Sequence, residues 1–385
     1  MQKRIKILII TRNLPPLLGG MERLNWHMAA ELAKYAEAHI VSPRGSAALK
    51  PEAVEVDEVP LSPLWRFIAV ATWRAIRVAR KLEPDIILAG SGLTAPIAAV
   101  TAKASGARSV AYVHGLDVSI ASLSYRVLWL PFLRRVDRVI ANSHATADLT
   151  RDIGVAAERI AIVHPGVDLP AAAPDPSLGD AFRLRYGLGN RRFLLSVGRL
   201  TQRKGLREFV VEVLPRVVEQ HPDVLLVIIG DVPVHALKAA AQSPADIQEA
   251  ANQAGVGTNI RFLGPIIDRD LLASAYRAAA VHVFPVRHIA GDPEGFGMVA
   301  VEAAAYGLPT VAYATGGVID AVADGYSGHL VPVGQPVVFA ECIHRLLDEP
   351  LSEAGLYQHA KQFAWPAFGQ ALAQEIKGLC LASRR

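Results

Sequence analysis

Short apolar runs recur along the chain, each closed by a glycine, a proline or a polar turn and most of them followed by a stretch with helical spacing. Ile5–Ile10, Ala38–Ser42, Asp85–Ala89, Ser109–Val113, Asp137–Ala141 and Ile160–Val163 predict buried parallel strands. The pattern breaks in HPGVDLPAAAPDPSLGD, where Pro, Gly and Asp crowd together without periodicity, and a hinge is expected within Val167–Pro176. It then restarts with Phe193–Val197, Val224–Ile229, Asn259–Leu263, Val281–Phe284, Thr310–Tyr313 and His329–Val333. Alternation of this kind predicts an open α/β sheet with helices on both faces, and its repetition predicts two such domains. From about Phe363 helical spacing returns, with an interruption expected at Pro366.

The most informative stretch is Phe284–Gly317, FPVRHIAGDPEGFGMVAVEAAAYGLPTVAYATGG. A strand ending at Pro285 leads into a polar loop, then a short helix with carboxylates at Glu294 and Glu302, a cap at Gly307, a second strand and a glycine pair. Free N–H groups at a helix start receive phosphate, and a carboxylate further along accepts hydrogen bonds from hydroxyls. The combination suggests a nucleoside diphosphate and its ribose. An ordinary crossover helix with solvated glutamates explains the same residues.

Ligands of open α/β sheets bind at the carboxyl ends of the strands, which singles out further residues. Gly19 and Gly20 follow the first strand and allow close backbone approach to a ligand, or simply turn the chain. His114 follows SVAYV, where an imidazole can donate a hydrogen bond to a reacting substrate with Asp117 orienting it or binding substrate, or can tie down a loop. Arg199 and Lys204 follow the strand Phe193–Val197, where two cations neutralise a diphosphate and stabilise a leaving group; surface solubility is the competing account. Gly316 and Gly317 permit close passage beneath a phosphate.

Composition adds limits. At 385 residues with 51% hydrophobic side chains the chain has material for two cores. The cysteines Cys342 and Cys380 form neither a disulfide framework nor a zinc spacing, and His282 and His288 make no convincing ligand set. The first apolar run is too short for a signal peptide and no stretch has the length of a membrane span, which places the protein in the cytoplasm. The net charge of +4 is uneven: LSPLWRFIAVATWRAIRVARK at Leu61–Lys81 and YRVLWLPFLRRVDR at Tyr125–Arg138 mix arginines with aromatic rings. Such stretches suit peripheral contact with an anionic membrane, and equally an amphipathic helix packed on its own sheet. Without a recognised binding module, nucleic acid is not an expected partner.

The order of motifs resembles that of retaining glycosyltransferases of the family 4 type, built on the GT-B plan of two facing Rossmann-like domains with a deep interdomain cleft. The resemblance covers nearly the whole chain. Its most specific element is Glu294-Gly-Phe-Gly-Met-Val-Ala-Val-Glu302 followed by Gly307-Leu308-Pro309, supported by Gly19-Gly20, His114-Gly115, Pro165-Gly166-Val167-Asp168, Gly198-Arg199-Leu200 and Lys204-Gly205. Tyr306 stands where the family often has a cysteine, and the loop VRHIAGDP before Glu294 is longer than the simplest family pattern.

The resemblance implies an N-terminal acceptor-side domain at 1–168, a linker and domain entry at 169–190, a donor domain at 191–364 and a last helix at 365–385 that crosses back to the first domain. It assigns the donor diphosphate to Arg199 and Lys204 and the ribose to Glu302. Hydroxyls of the transferred sugar go to Glu294, the phosphate and sugar loop to Gly295, Phe296 and Gly297, the reaction centre to His114, and close approach to phosphate or acceptor to Gly20. Gly19, Asp117 and Arg287 are weaker substrate contacts. The implied reaction moves a hexose from a nucleotide diphosphate sugar to a hydroxyl of a saccharide or lipid-linked saccharide, by front-face attack and without cofactor or metal. Acceptors of that kind suit the cytoplasmic face of the inner membrane. An epimerase of nucleotide sugars, and a binding protein that keeps the cleft without turnover, are the alternatives.

Overall fold

In the computed structural model the described residues are 4–120, 122–170, 177–232 and 241–382. The chain divides into two compact units, Met1–Gly166 with Trp365–Arg385, and Val167–Ala364.

The first unit is built on a seven-stranded parallel sheet of β1 (Lys6–Ile10), β2 (Glu37–Pro43), β3 (Val54–Val59), β4 (Ile86–Ala89), β5 (Arg108–Val113), β6 (Arg138–Ala141) and β7 (Ile160–Ile162), in the order β3-β2-β1-β4-β5-β6-β7. Six of these lie where the apolar runs are, because a parallel strand covered on both faces needs continuous Val, Ile and Leu. The seventh, β3, was not expected. Its sequence VEVDEV carries three carboxylates, and only its end residues Val54 and Val59 are fully buried, as an edge strand allows.

On one face lie the helices Leu64–Leu82 and Ala95–Ser105, whose buried Phe67, Ala71, Ala75, Ile97 and Ala98 share a core with Leu8, Ile87 and Val139. The helix Trp365–Ala382 belongs to the same unit and packs along the helix Gly20–Ala33, with Trp365 stacked on His27 at 3.9 Å. Pro366 does not interrupt it: the proline sits in the first turn, where its missing N–H has no partner to lose.

The second unit has a six-stranded parallel sheet of β8 (Phe193–Val197), β9 (Leu225–Ile229), β10 (Ile260–Gly264), β11 (Val281–Phe284), β12 (Thr310–Tyr313) and β13 (Gly328–Val331), in the order β10-β9-β8-β11-β12-β13. All six lie in the expected runs. Within 169–190 the helix Ser177–Arg185 packs on the helix Arg269–Ala278 through buried Phe182; residues 171–176, in the expected hinge, lie outside the described residues.

Strand order reverses between β8 and β11 in this sheet and between β1 and β4 in the other. At such a point neighbouring connections leave toward opposite faces and open a crevice at the carboxyl edge. In the second unit the loop after β8 carries Lys204 and the loop after β11 carries Glu294.

Candidate active site

Two glycines bring the loops of the second unit together. Gly205 has φ +69°, and a Cβ there would lie 2.0 Å from Pro285 O, so only glycine lets the turn Gln202–Lys204 press against the exit from β11. The amide of Arg287 then donates to Arg203 O at 2.8 Å. At the other side a Cβ on Gly317 would stand 2.0 Å from Gly295 O, and the Gly317 amide donates to Glu294 O at 2.9 Å. The glycine pair expected beneath a phosphate is therefore filled by the peptide of Glu294 and Gly295, which it holds in place.

Glu294 is not in a helix. The helix runs Met298–Ala305, because Gly297 takes φ +95° as its N-cap, and Glu294 to Phe296 form the loop ahead of it. From that loop the Glu294 carboxylate reaches Lys204, whose Nζ donates to Oε2 at 2.9 Å, with Arg203 Nε 3.3 Å from the same oxygen. All three side chains are 12–13% exposed. Lys204 Nζ also lies 4.5 Å from the centroid of Phe284. Burial alone would raise the Glu294 pKa, but Lys204 and Arg203 overcome it and hold the group at about 2, fully ionised. Burial lowers the Lys204 pKa, with Glu294 opposing.

Arg203 was missed in the sequence, although it ties the two loops most firmly. Its Nη1 donates to Asp292 Oδ1 at 2.8 Å and to Pro293 O at 2.9 Å. The only signal was its place beside Lys204, on the face that a solubility argument discounts. Arg199 is exposed, and no described side chain pairs with it. Glu302 is 8% exposed in the helix Met298–Ala305 and accepts from Tyr276 Oη at 3.2 Å. Arg287 turns to Glu208, with Nη1 2.5 Å from Oε1. Beneath the cluster His282 is fully buried on β11, hydrogen-bonded to Thr310 Oγ1 at 3.0 Å, and burial with Lys204 nearby pushes its pKa down to about 3.

In the first unit the ring of His114 is anchored by the loop after β4. Nε2 lies 3.0 Å from Gly90 O, and a carbonyl only accepts, so Nε2 carries a proton. With Nε2 donating to Gly90 O, Nδ1 is the ring atom left to face a ligand. Asp117 is a loop bracket: one oxygen accepts from the amides of Gly92 at 3.0 Å and His114 at 3.1 Å. Gly19, with φ +156°, caps the helix Gly20–Ala33, and a Cβ on it would meet Glu22; a Cβ on Gly20 would meet nothing within 4 Å.

Comparison with known proteins shows the family. The model of the Glycosyltransferase Family 4 matches residues 18–170, and that of Glycosyl transferases group 1 matches 182–363. The D-inositol 3-phosphate glycosyltransferase 1 of Catenulispora acidiphila is 35% identical over 304 residues, 73% of this chain and 69% of the relative. A GDP-mannose-dependent alpha-(1-6)-phosphatidylinositol monomannoside mannosyltransferase of Mycolicibacterium smegmatis is 29% identical over 398 residues, 97% of this chain and 98% of the relative. Anabaena HepE in complex with UDP-glucose has a TM-score of 0.78 at 21% identity, covering 97% of this chain and 100% of its own. The chain belongs to the family 4 glycosyltransferases, enzymes with two Rossmann-like units of the GT-B class. Its activity is that of a nucleotide-sugar-dependent hexosyltransferase.

Proposed function

We propose that the protein transfers a hexose from a GDP- or UDP-linked donor to a hydroxyl of a lipid-linked saccharide or related glycolipid, with retention of anomeric configuration. The observation that carries this reading is the cluster of Arg199, Arg203, Lys204 and Glu294 at the switch point between β8 and β11. Arg199 and Lys204 bind the diphosphate, with the loop Gly295–Gly297 presenting backbone at the start of the helix Met298–Ala305. Glu302, steadied by Tyr276, takes the ribose, and Glu294 the hydroxyls of the transferred sugar. His114 is assigned to the sugar through Nδ1 and Gly20 to close backbone approach; Asp117 and Arg287 act by holding loops. The donor domain, 191–364, is the seat of the nucleotide, and the acceptor is assigned to 1–168.

In this reaction the bond between the anomeric carbon and the phosphate oxygen breaks, the acceptor oxygen bonds to that carbon from the same face, and the acceptor proton passes to the departing phosphate oxygen. Glu294, ionised and paired with cations, is unsuited to proton donation and a weak nucleophile, which supports a mechanism where the leaving diphosphate serves as base. The relative from Mycolicibacterium smegmatis, whose name describes a GDP-mannose donor and a phosphatidylinositol mannoside acceptor, supports the substrate class. No helix among the described residues is long and apolar enough to cross a membrane. Docking on an anionic leaflet through the helix Leu64–Leu82 is part of the proposal, with Trp65 71% and Trp73 54% exposed beside Arg66 and Arg77.

Proton NMR of the first-formed glycoside tests the mechanism: the anomeric coupling should match that of the donor, and inversion would contradict front-face attack. Glu302→Ala should weaken nucleotide binding measured by calorimetry, whereas equal affinity in the folded variant would reject the ribose assignment.

A further inference from the structure

Glu294 and a donor diphosphate need the same cation. The carboxylate takes Lys204 Nζ at 2.9 Å and stands 3.3 Å from Arg203 Nε. The Glu294 backbone is held where it is, because the Gly317 amide donates to its carbonyl and a Cβ on Gly316 would stand 2.7 Å from that oxygen. Only the side chain is free to change partners. Arg203 is committed to the same loop through Asp292 and Pro293, so it follows the loop whatever binds. Arg199 is exposed and close enough to lower the pKa of both Glu294 and Lys204, so a third cation faces solvent beside the pair.

The geometry points to Glu294 as an internal stand-in for the donor diphosphate, displaced from Lys204 when the nucleotide arrives and then held by hydroxyls of the transferred sugar. This rests on the assignment of the cluster to a nucleotide sugar and adds a basis for choosing between donor and product. A complete donor brings phosphate for Lys204 and hydroxyl donors for the released carboxylate. A bare nucleoside diphosphate brings only the phosphate. It leaves a largely buried carboxylate beside a second anion with fewer partners, and an unpaired buried charge is costly. The same residue therefore favours the intact donor and hastens release of the spent diphosphate. Reciprocity follows: bound sugar at Glu294 strengthens diphosphate binding at Lys204 by the same factor by which bound diphosphate strengthens sugar binding.

Calorimetric titration of GDP, UDP and ADP into the full chain and into Glu294→Gln tests this. The neutral amide competes poorly for Lys204, so the diphosphate that binds wild type should bind the variant about tenfold more tightly, and the advantage of the matching nucleotide sugar should shrink. Equal or weaker diphosphate binding by a folded variant overturns the inference and leaves the nucleotide site intact. A second measurement needs no variant. Free glucose, mannose or galactose at millimolar concentration should tighten diphosphate binding to wild type for at least one hexose, and absence of coupling with all three counts against Glu294 as the stand-in. If no diphosphate binds wild type, the nucleotide-sugar assignment of the cluster fails first and this inference with it.

Discussion

Lys204, Glu294 and His282 show how charge is managed at single positions. The folded-state pKa of Glu294, near 2, lies below the ordinary 4.5, so its pairing stabilises the fold above about pH 4.5 and that contribution is lost as pH falls toward 2. His282 acts in the same direction by another route. Its pKa is pushed from 6.5 to about 3 by burial, so the unfolded chain takes up a proton that the folded chain refuses, and stability drains away as pH falls from 6.5 toward 3. His282→Phe should flatten the dependence of the urea midpoint on pH between 6.5 and 4; an unchanged slope would show that His282 is not the group responsible. Arg199 and Lys204 stood out in the sequence because they follow an apolar strand, and Glu294 and Glu302 because of their places around the short helix between two strands. Arg203 did not, since nothing in the sequence tells that both adjacent cations turn inward. The anchoring of His114 on Gly90 and of Asp117 on the Gly92 amide was equally hidden, because both partners come from backbone far away in sequence.

At the scale of elements, steric fit at glycine decides the shape of the site. Gly317 has an ordinary backbone conformation, φ −75°, so any objection to a side chain comes from the Gly295 carbonyl 2.0 Å from its Cβ position. Gly317→Ala should cost about 1–3 kcal/mol in urea denaturation and weaken nucleotide binding by moving the loop Glu294–Phe296. Stability and affinity near wild type would mean that this loop yields freely. The strands were legible wherever both faces are covered, and β3 was not, because an edge strand with acidic outward positions looks like a loop. The start of the helix at Met298 depends on Gly297 taking φ +95°, which composition does not announce. On the helix Leu64–Leu82, Phe67 is core while Trp65 and Trp73 face outward with arginine over the Trp73 ring. The reading as an amphipathic helix packed on its own sheet holds for the buried face, and the outward face is the one proposed to dock on a membrane. Replacing Trp65 and Trp73 by Ala should reduce co-sedimentation with anionic vesicles, and undiminished binding would contradict docking through this helix.

At the scale of the whole chain, each unit repeats one plan, a parallel sheet whose strand order reverses at a loop-lined crevice, and the last helix is built into the first unit. Trp365 is 5% exposed, stacked on His27 and set against Gly166 so closely that a Cβ there would overlap its ring. Trp365→Ala should destabilise the first unit by about 3–5 kcal/mol, read as faster amide exchange in β1 and β4 with β8 and β11 unaffected. Uniform loss of protection in both units would contradict a division at Gly166 and Trp365. The twofold plan was readable from periodicity, as was the class of ligand from the order of loops. The donor's base is set by backbone that no spacing reveals.

We propose that the loops after β8 and β11 hold the diphosphate of a nucleotide sugar through Lys204. Calorimetry of GDP, UDP and ADP against wild type and Lys204→Ala tests it most directly. Wild type should bind one diphosphate clearly better than the others, and the variant, folded by its urea transition, should lose about tenfold or more of that affinity. Undiminished diphosphate binding in Lys204→Ala would place the phosphate elsewhere and contradict the account.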